Sequence, residues 1–146
     1  MSMSTIGVPL EGFGVYCRAA AAEGAVLLKN EGHMFPLKKE EMVSVFGRCQ
    51  FETYRSGTGS GGAVNVPYAV NIYDGMRESG SFTLNEELAD IYRAWLKDHP
   101  FDNGGGGWAA EPWHQKEMVI TEEIAAAAAE KSEKAIFIIG RTAGED

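Results

Sequence analysis

Two short β-branched runs, each cut off by a glycine and each preceded by a helical pattern, put this chain in the α/β class with a mainly parallel sheet. The runs are residues 43–46 (VSVF) before Gly47 and residues 135–139 (AIFII) before Gly140. A third observation agrees with them. The first run is followed by a polar loop closing in Gly57, Gly59, Gly61 and Gly62, broken only by Thr58 and Ser60. Buried parallel strands deliver their loops to the C-terminal edge of the sheet, where ligands bind in open α/β folds.

Taken in order, residues 1–14 form an irregular lead-in with Gly7, Pro9, Gly12 and Gly14. Residues 15–29 (VYCRAAAAEGAVLLK) are Ala-rich and read as a helix, with Asn30 and Gly32 as its stop and Lys29 suited to its C-terminal dipole. Pro36 and Leu37 lead into the first strand. Beyond the glycine loop, residues 70–78 suggest a short helix with Ile72 and Met76 on one side, and residues 82–84 a short strand. Asn85 is a helix N-cap, with Glu86 and Glu87 adding negative charge to the first turn. Leu88, Ile91, Trp95 and Leu96 then fall on one helical face running to about His99, and Pro100 closes it. Residues 101–117 (FDNGGGGWAAEPWHQKE) form a second glycine-rich loop carrying Trp108 and Trp113. Thr121 caps a near-polyalanine helix over residues 124–131, whose few charges predict packing on both sides or close packing against a sheet. The strand at 135–139 follows, and then GRTAGED. A buried parallel strand calls for further elements to cover it, so the chain reads as the front part of a larger domain.

Composition narrows the function classes. The chain has 146 residues and is 45% hydrophobic, enough for one domain with a real core. Lys and Arg number 13 against 21 Asp and Glu, a formal net charge of -8. Such an acidic chain repels phosphate backbones, which argues against a nucleic-acid partner. Apolar runs are too short for a membrane span and no signal peptide is visible, so the expected setting is cytoplasmic. Cys17 and Cys49 lack C-x-x-C spacing and read as reduced core thiols. His33, His99 and His114 have no metal-ligand spacing, so neither a metal nor another cofactor is expected. The pairs Glu40-Glu41, Glu86-Glu87 and Glu122-Glu123 read as solvated helix starts, because helix neighbours do not face each other.

The glycine loop has two readings. Gly57, Gly59 and Gly62 satisfy G-x-G-x-x-G, yet they come ten residues after Gly47 and open no helix, as a dinucleotide site requires. No Lys-Ser/Thr follows, as a Walker loop requires. The loop is either a surface connection or a ligand cradle of another kind.

Several separated segments together resemble a known family. AAAEGAVLLKNEG, FPL, VSVFG, RSGTGSGGAVNVPY and AIFIIGRTAGED, in this order, are similar to the α/β sandwich domain of glycoside hydrolase family 3, of the β-glucosidase-like kind. The resemblance covers residues 15–146 and implies a three-layer sandwich, incomplete in this chain, in the reversed order with the sandwich ahead of its barrel. It implies retaining cleavage of a terminal sugar from a β-glucoside or oligosaccharide, with the aspartate nucleophile on the barrel domain that this chain lacks. The matching acid/base position is Glu145, with Asp146 next door as competitor. Arg55, Ser56, Gly57, Thr58, Gly59 and Ser60 match the segment facing the cleft, where backbone amides and an Arg donor can meet sugar hydroxyls. Trp108 and Trp113 either stack on a pyranose or pack at an interface. The chain alone is expected to be inactive, and its cut sheet to favour homo-oligomers through the exposed edge. The rival reading is a stand-alone flavodoxin-like module holding a nucleotide or sugar over the glycine loop.

Overall fold

A computed structural model describes residues 10–54, 68–107 and 109–142. They fall into two compact units, Met1–Phe35 and Pro36–Asp146.

The first unit contains helix α1 (Phe13–Glu23), which begins at Gly12 in the left-handed region (φ 77). It is shorter than the predicted 15–29 helix and shifted towards the N-terminus. Gly24 is the reason: its N–H closes the last turn on Ala20 O at 3.0 Å, and a glycine inside a helix costs about 1 kcal/mol relative to alanine. Val26, Leu27 and Leu28 therefore lie beyond the helix and are exposed. Asn30 does not cap a helix. It closes a loop by donating to Phe35 O and accepting from Phe35 N–H, both at 3.0 Å. Cys17 is exposed, against the expectation of a core thiol, because α1 buries none of its residues.

The second unit holds a three-stranded parallel sheet in the order β2-β1-β3, with β1 (Met42–Phe46) central, β2 (Thr83–Leu84) on one side and β3 (Lys134–Phe137) on the other. Val43 pairs with both Leu84 and Lys134, and Phe46 with Phe137. Among its described residues are three α-helices: α2 (Ile72–Ser79), α3 (Glu86–Asp98) and α4 (Glu122–Lys131). Strand alternation divides the core between the two faces of β1. Val43 and Val45 join Tyr73, Leu84 and Ala89, while Phe46 joins Leu88, Tyr92, Met118 and Ala128. Full burial of a Val, Leu, Phe or Met side chain among these contributes about 1.5–3 kcal/mol.

Ser44, wholly buried mid-strand, is satisfied by both flanking helices. Asn85 Nδ2 donates to its Oγ at 2.9 Å, and the Ser132 hydroxyl meets it at 2.6 Å. The predicted caps form as written: Asn85 accepts from Leu88 N–H, Thr121 from Ile124 N–H. Asn71, unremarked in the sequence, caps α2 by accepting from Asp74 N–H at 2.7 Å.

Helix α4 takes the second of its two expected packings: it touches the sheet through the i, i+4 stripe of half-buried Ile124 and buried Ala128, and its remaining alanines face outward. Two expectations need correction. The second strand run is buried on one face only. At the end of the described sheet, Ile136 and Ile138 pack half-buried against the core, whereas Phe137 is 67% exposed, stacked on Phe46 at 4.9 Å, and Ile139 is 78% exposed. Glu40 and Glu41 precede a strand, not a helix. Lys134 Nζ donates to both Glu41 carboxylate oxygens at 2.9 Å, tying β3 to β1 and holding that carboxyl below its usual range. No described helix is long and apolar enough to cross a membrane.

Candidate functional site at the C-terminal edge of the sheet

The strand β1 ends at Gly47, whose φ of 101 favours glycine and whose missing Cβ would collide with the Ile138 carbonyl. Its N–H donates to the Tyr92 hydroxyl at 2.8 Å. The chain then makes a tight turn over Arg48–Gln50 with every residue buried. Gln50 Nε2 braces it by donating to Val45 O at 3.1 Å and Gly47 O at 3.0 Å.

Arg48, only 2% exposed, is the hub of this edge. Its guanidinium donates to Lys116 O and His99 O, both at 2.8 Å, and pairs with the Glu52 carboxylate. It lies 5.3 Å from the Trp95 ring, which itself stacks on His99 at 4.1 Å. Its backbone N–H donates to Glu117 at 2.9 Å, and Glu117 also accepts from Met118 N–H. A buried cation is tolerated only when its donors are met, and here the end of α3 and the end of the second glycine loop meet them.

That second loop is clamped at its base. Gln115 Oε1 accepts from Asp102 N–H and its Nε2 donates to Asp102 O, both at 2.8 Å. The same Nε2 reaches the Tyr54 hydroxyl at 3.0 Å, and that hydroxyl donates to Pro112 O at 2.9 Å. Within the loop, Gly104, Gly105 and Gly106 all have positive φ, with the Gly104 and Gly105 N–H groups bonded to the Asp102 and Asn103 side chains.

The exit of β3 comes to the same place. Gly140 packs so closely on Cys49 and Tyr54 that a Cβ there would overlap the Cys49 thiol. Two residues on, Thr142 N–H donates to Trp113 O at 3.0 Å, and the Arg141 guanidinium lies 5.4 Å from the Trp113 ring. Burial, with the Glu117 carboxylate next in weight, pushes the Cys49 thiol up, so this thiol is a packing group and not a nucleophile. Burial likewise raises Tyr92 to about 12.

Of the residues predicted for the site, Glu145, Arg55, Ser56, Gly57, Thr58, Gly59, Ser60 and Trp108 lie outside the described residues. Trp113 is described and is 64% exposed, its ring edge-on to His114 at 5.5 Å. What the fold joins is the described ends of three segments: Tyr54 just before Arg55, residues 112–115, and Thr142 three positions before Glu145. Sequence reasoning missed Arg48, Tyr54, Gln115, Glu117 and Arg141. The one available signal was Arg48, a lone cation directly after a buried strand.

Comparison with known proteins now bears on this edge. The sequence profile of the glycosyl hydrolase family 3 C-terminal domain matches residues 25–146. This chain belongs to that family. The family 3 domain described here is 50% identical over 125 residues to a β-glucosidase of Ruminococcus albus, covering 86% of this chain and 13% of that protein. It is 36% identical over 126 residues to β-glucosidase A of Butyrivibrio fibrisolvens, covering 86% of this chain and 14% of that protein. The crystal structure of a β-glucosidase from Paenibacillus barengoltzii superposes with a TM-score of 0.93 at 66% identity, over 98% of this chain and 15% of that one. β-Glucosidase 3B of Thermotoga neapolitana, in complex with α-D-glucose, gives 0.78 at 32% identity over 93% of this chain and 19% of that one. The family 3 domain thus spans 13–14% of the length of the curated relatives it matches. Its small α/β fold with a parallel sheet is that of these relatives.

Proposed function

We propose that this domain serves a retaining β-glucosidase-type glycosidase, to which it supplies Glu145 as acid/base. The nucleophilic carboxylate and the main sugar-gripping groups come from a partner barrel domain, so the 146-residue chain by itself is inactive. The observation that carries the reading is the convergence, at one end of the sheet, of the segments leading to Arg55 and to Glu145, through the Tyr54–Pro112 and Thr142–Trp113 bonds. The names of the relatives support the substrate class.

The chemistry needs two carboxyls about 5–5.5 Å apart. Glu145 donates its proton to the glycosidic oxygen as the C1–O bond breaks and the nucleophile forms a glycosyl ester. The resulting Glu145 carboxylate then takes a proton from the water that attacks C1 and releases the nucleophile. Arg55 and the backbone amides from Ser56 to Ser60 serve as donors to sugar hydroxyls, and Trp108 and Trp113 as stacking faces. The exposed Cys17 and the unpaired Cys49 suit a reducing, cytoplasmic setting.

The test is the Glu145→Ala variant of the full-length protein, assayed on aryl β-glucosides with and without azide. Loss of turnover on poor leaving groups, restored by azide as β-glucosyl azide, is the expected result. Activity equal to the unsubstituted protein overturns the assignment.

A further inference from the structure

The chain leaving β3 makes its last sheet bond at Ile138, whose N–H donates to Phe46 O at 2.8 Å. The next backbone anchor is Thr142 N–H on Trp113 O at 3.0 Å. Between them sit Gly140, wedged against Cys49 and Tyr54, and Arg141. The Arg141 side chain turns back on its own strand exit, Nη1 donating to Gly140 O at 2.7 Å, while the guanidinium carbon lies 5.4 Å from the Trp113 ring centre. The receiving ledge, residues 112–115, is itself fixed. Pro112 O accepts the Tyr54 hydroxyl at 2.9 Å, and Gln115 bonds Tyr54 and both backbone groups of Asp102. His114 stands edge-on to the Trp113 ring and braces it.

We propose that Arg141 is a positioning residue: with Trp113 as its platform it fastens the strand exit to the 112–115 ledge, in support of the acid/base role of Glu145 four positions on. This rests on the reading of Glu145 as acid/base. The arithmetic shows why an anchor matters. A chain reaches at most about 3.3–3.6 Å per residue, so five residues from Gly140 span up to about 17 Å and three from Thr142 only about 10 Å. Proton transfer needs heavy atoms within hydrogen-bond reach, and a misplacement of about 1 Å costs on the order of a hundredfold in rate. An exposed cation–π contact is weak as a stabiliser of the fold. Beside a backbone bond it is well suited to fixing the strand exit at residues 140–142. Neither Arg141 nor Trp113 needs to touch the sugar for this to work.

The test uses the full-length protein and aryl β-glucosides running from dinitrophenyl to phenyl. Departure of dinitrophenolate needs little acid assistance, whereas phenolate needs it, so a misplaced acid shows as a steeper dependence of kcat/KM on the leaving group. Arg141→Met is expected to lower kcat/KM on the phenyl glucoside about tenfold, part of the range general acids supply, and leave the dinitrophenyl glucoside within about twofold. Arg141→Lys recovers part of the loss, and Arg141→Gln, which also lacks the cation, reproduces the steepened dependence if Arg141→Met fails to fold. Equal losses on both substrates, or none, overturn the proposal. Glu145→Ala is run alongside. If it steepens the dependence and Arg141→Met does not, only the role of Arg141 falls. If it does not, the acid/base reading falls and this inference with it.

Discussion

The hydroxyl of Tyr92, on α3, accepts the backbone N–H of Gly47 at 2.8 Å, so the end of the central strand is held by a side chain 45 positions away. Both residues are buried, and the Tyr92 hydroxyl is the partner that the Gly47 N–H finds. Tyr92→Phe keeps the ring and orphans that N–H, which is expected to cost about 1–3 kcal/mol, read as a lower urea midpoint at unchanged m-value. The same residue sets an alkaline limit. Burial raises the Tyr92 phenol, and that of Tyr73, to about 12, whereas an unfolded tyrosine releases its proton near 10. The folded state therefore holds these protons more tightly, and stability falls as pH rises from about 10 to about 12. In Tyr92→Phe that alkaline decline should be shallower, with Tyr73 supplying what remains. A decline of unchanged steepness would refute the assignment.

Arg48 makes the strongest claim on stability. Arg48→Met preserves length and removes the guanidinium, leaving Lys116 O and His99 O without their donors and Glu52 without its cation. Breaking a buried pair from one side costs about 3–5 kcal/mol, so the variant should unfold at markedly lower denaturant. Arg48→Lys keeps the charge but cannot reproduce the planar fork and should fall between. A change below about 0.5 kcal/mol in the methionine variant, the scale of an ordinary surface substitution, would show that the network contributes little.

Gly140 and Cys49 form a testable pair. A methyl at Gly140 overlaps the buried Cys49 thiol, and overpacking of this kind costs about 1–3 kcal/mol. Because the obstacle is largely a side chain, Gly140→Ala should be partly rescued by Cys49→Ala in the same protein, giving a non-additive double-mutant cycle. Purely additive losses would contradict the contact. Gly47→Ala should admit no such rescue, since there the obstacle is the Ile138 backbone and the φ is positive.

The sheet was legible from local signals alone. Val43 and Val45 announce a buried strand by their β-branched alternation and the stop at Gly47, and Asn85 and Thr121 mark helix starts with the right side-chain chemistry. What failed was tertiary. Residues 135–139 carry the same signature as the first strand, but burial depends on which neighbours a strand acquires, and β3 stands at the end of the described sheet. The alanines of α4 have too little side chain to reveal which face packs. At the site, Arg48 and Glu117 are brought together across 69 positions, and Gln115 and Tyr54 across 61, by loops whose sequences carry no pairing signal. The second glycine loop was visible; the clamp that closes it was not.

The ion pair between Glu41 and Lys134 joins residues 93 positions apart, and β1 acquires its β3 partner only when that segment is available. Translation at about 5–20 residues per second puts on the order of 5–20 s between the emergence of the two strands. During that interval, of the described strands only the two-residue β2 can stand beside Val43, too little to hold a sheet. A nascent chain of this domain thus carries the apolar edge of Val43 and Val45 without its β3 partner until β3 has left the ribosome.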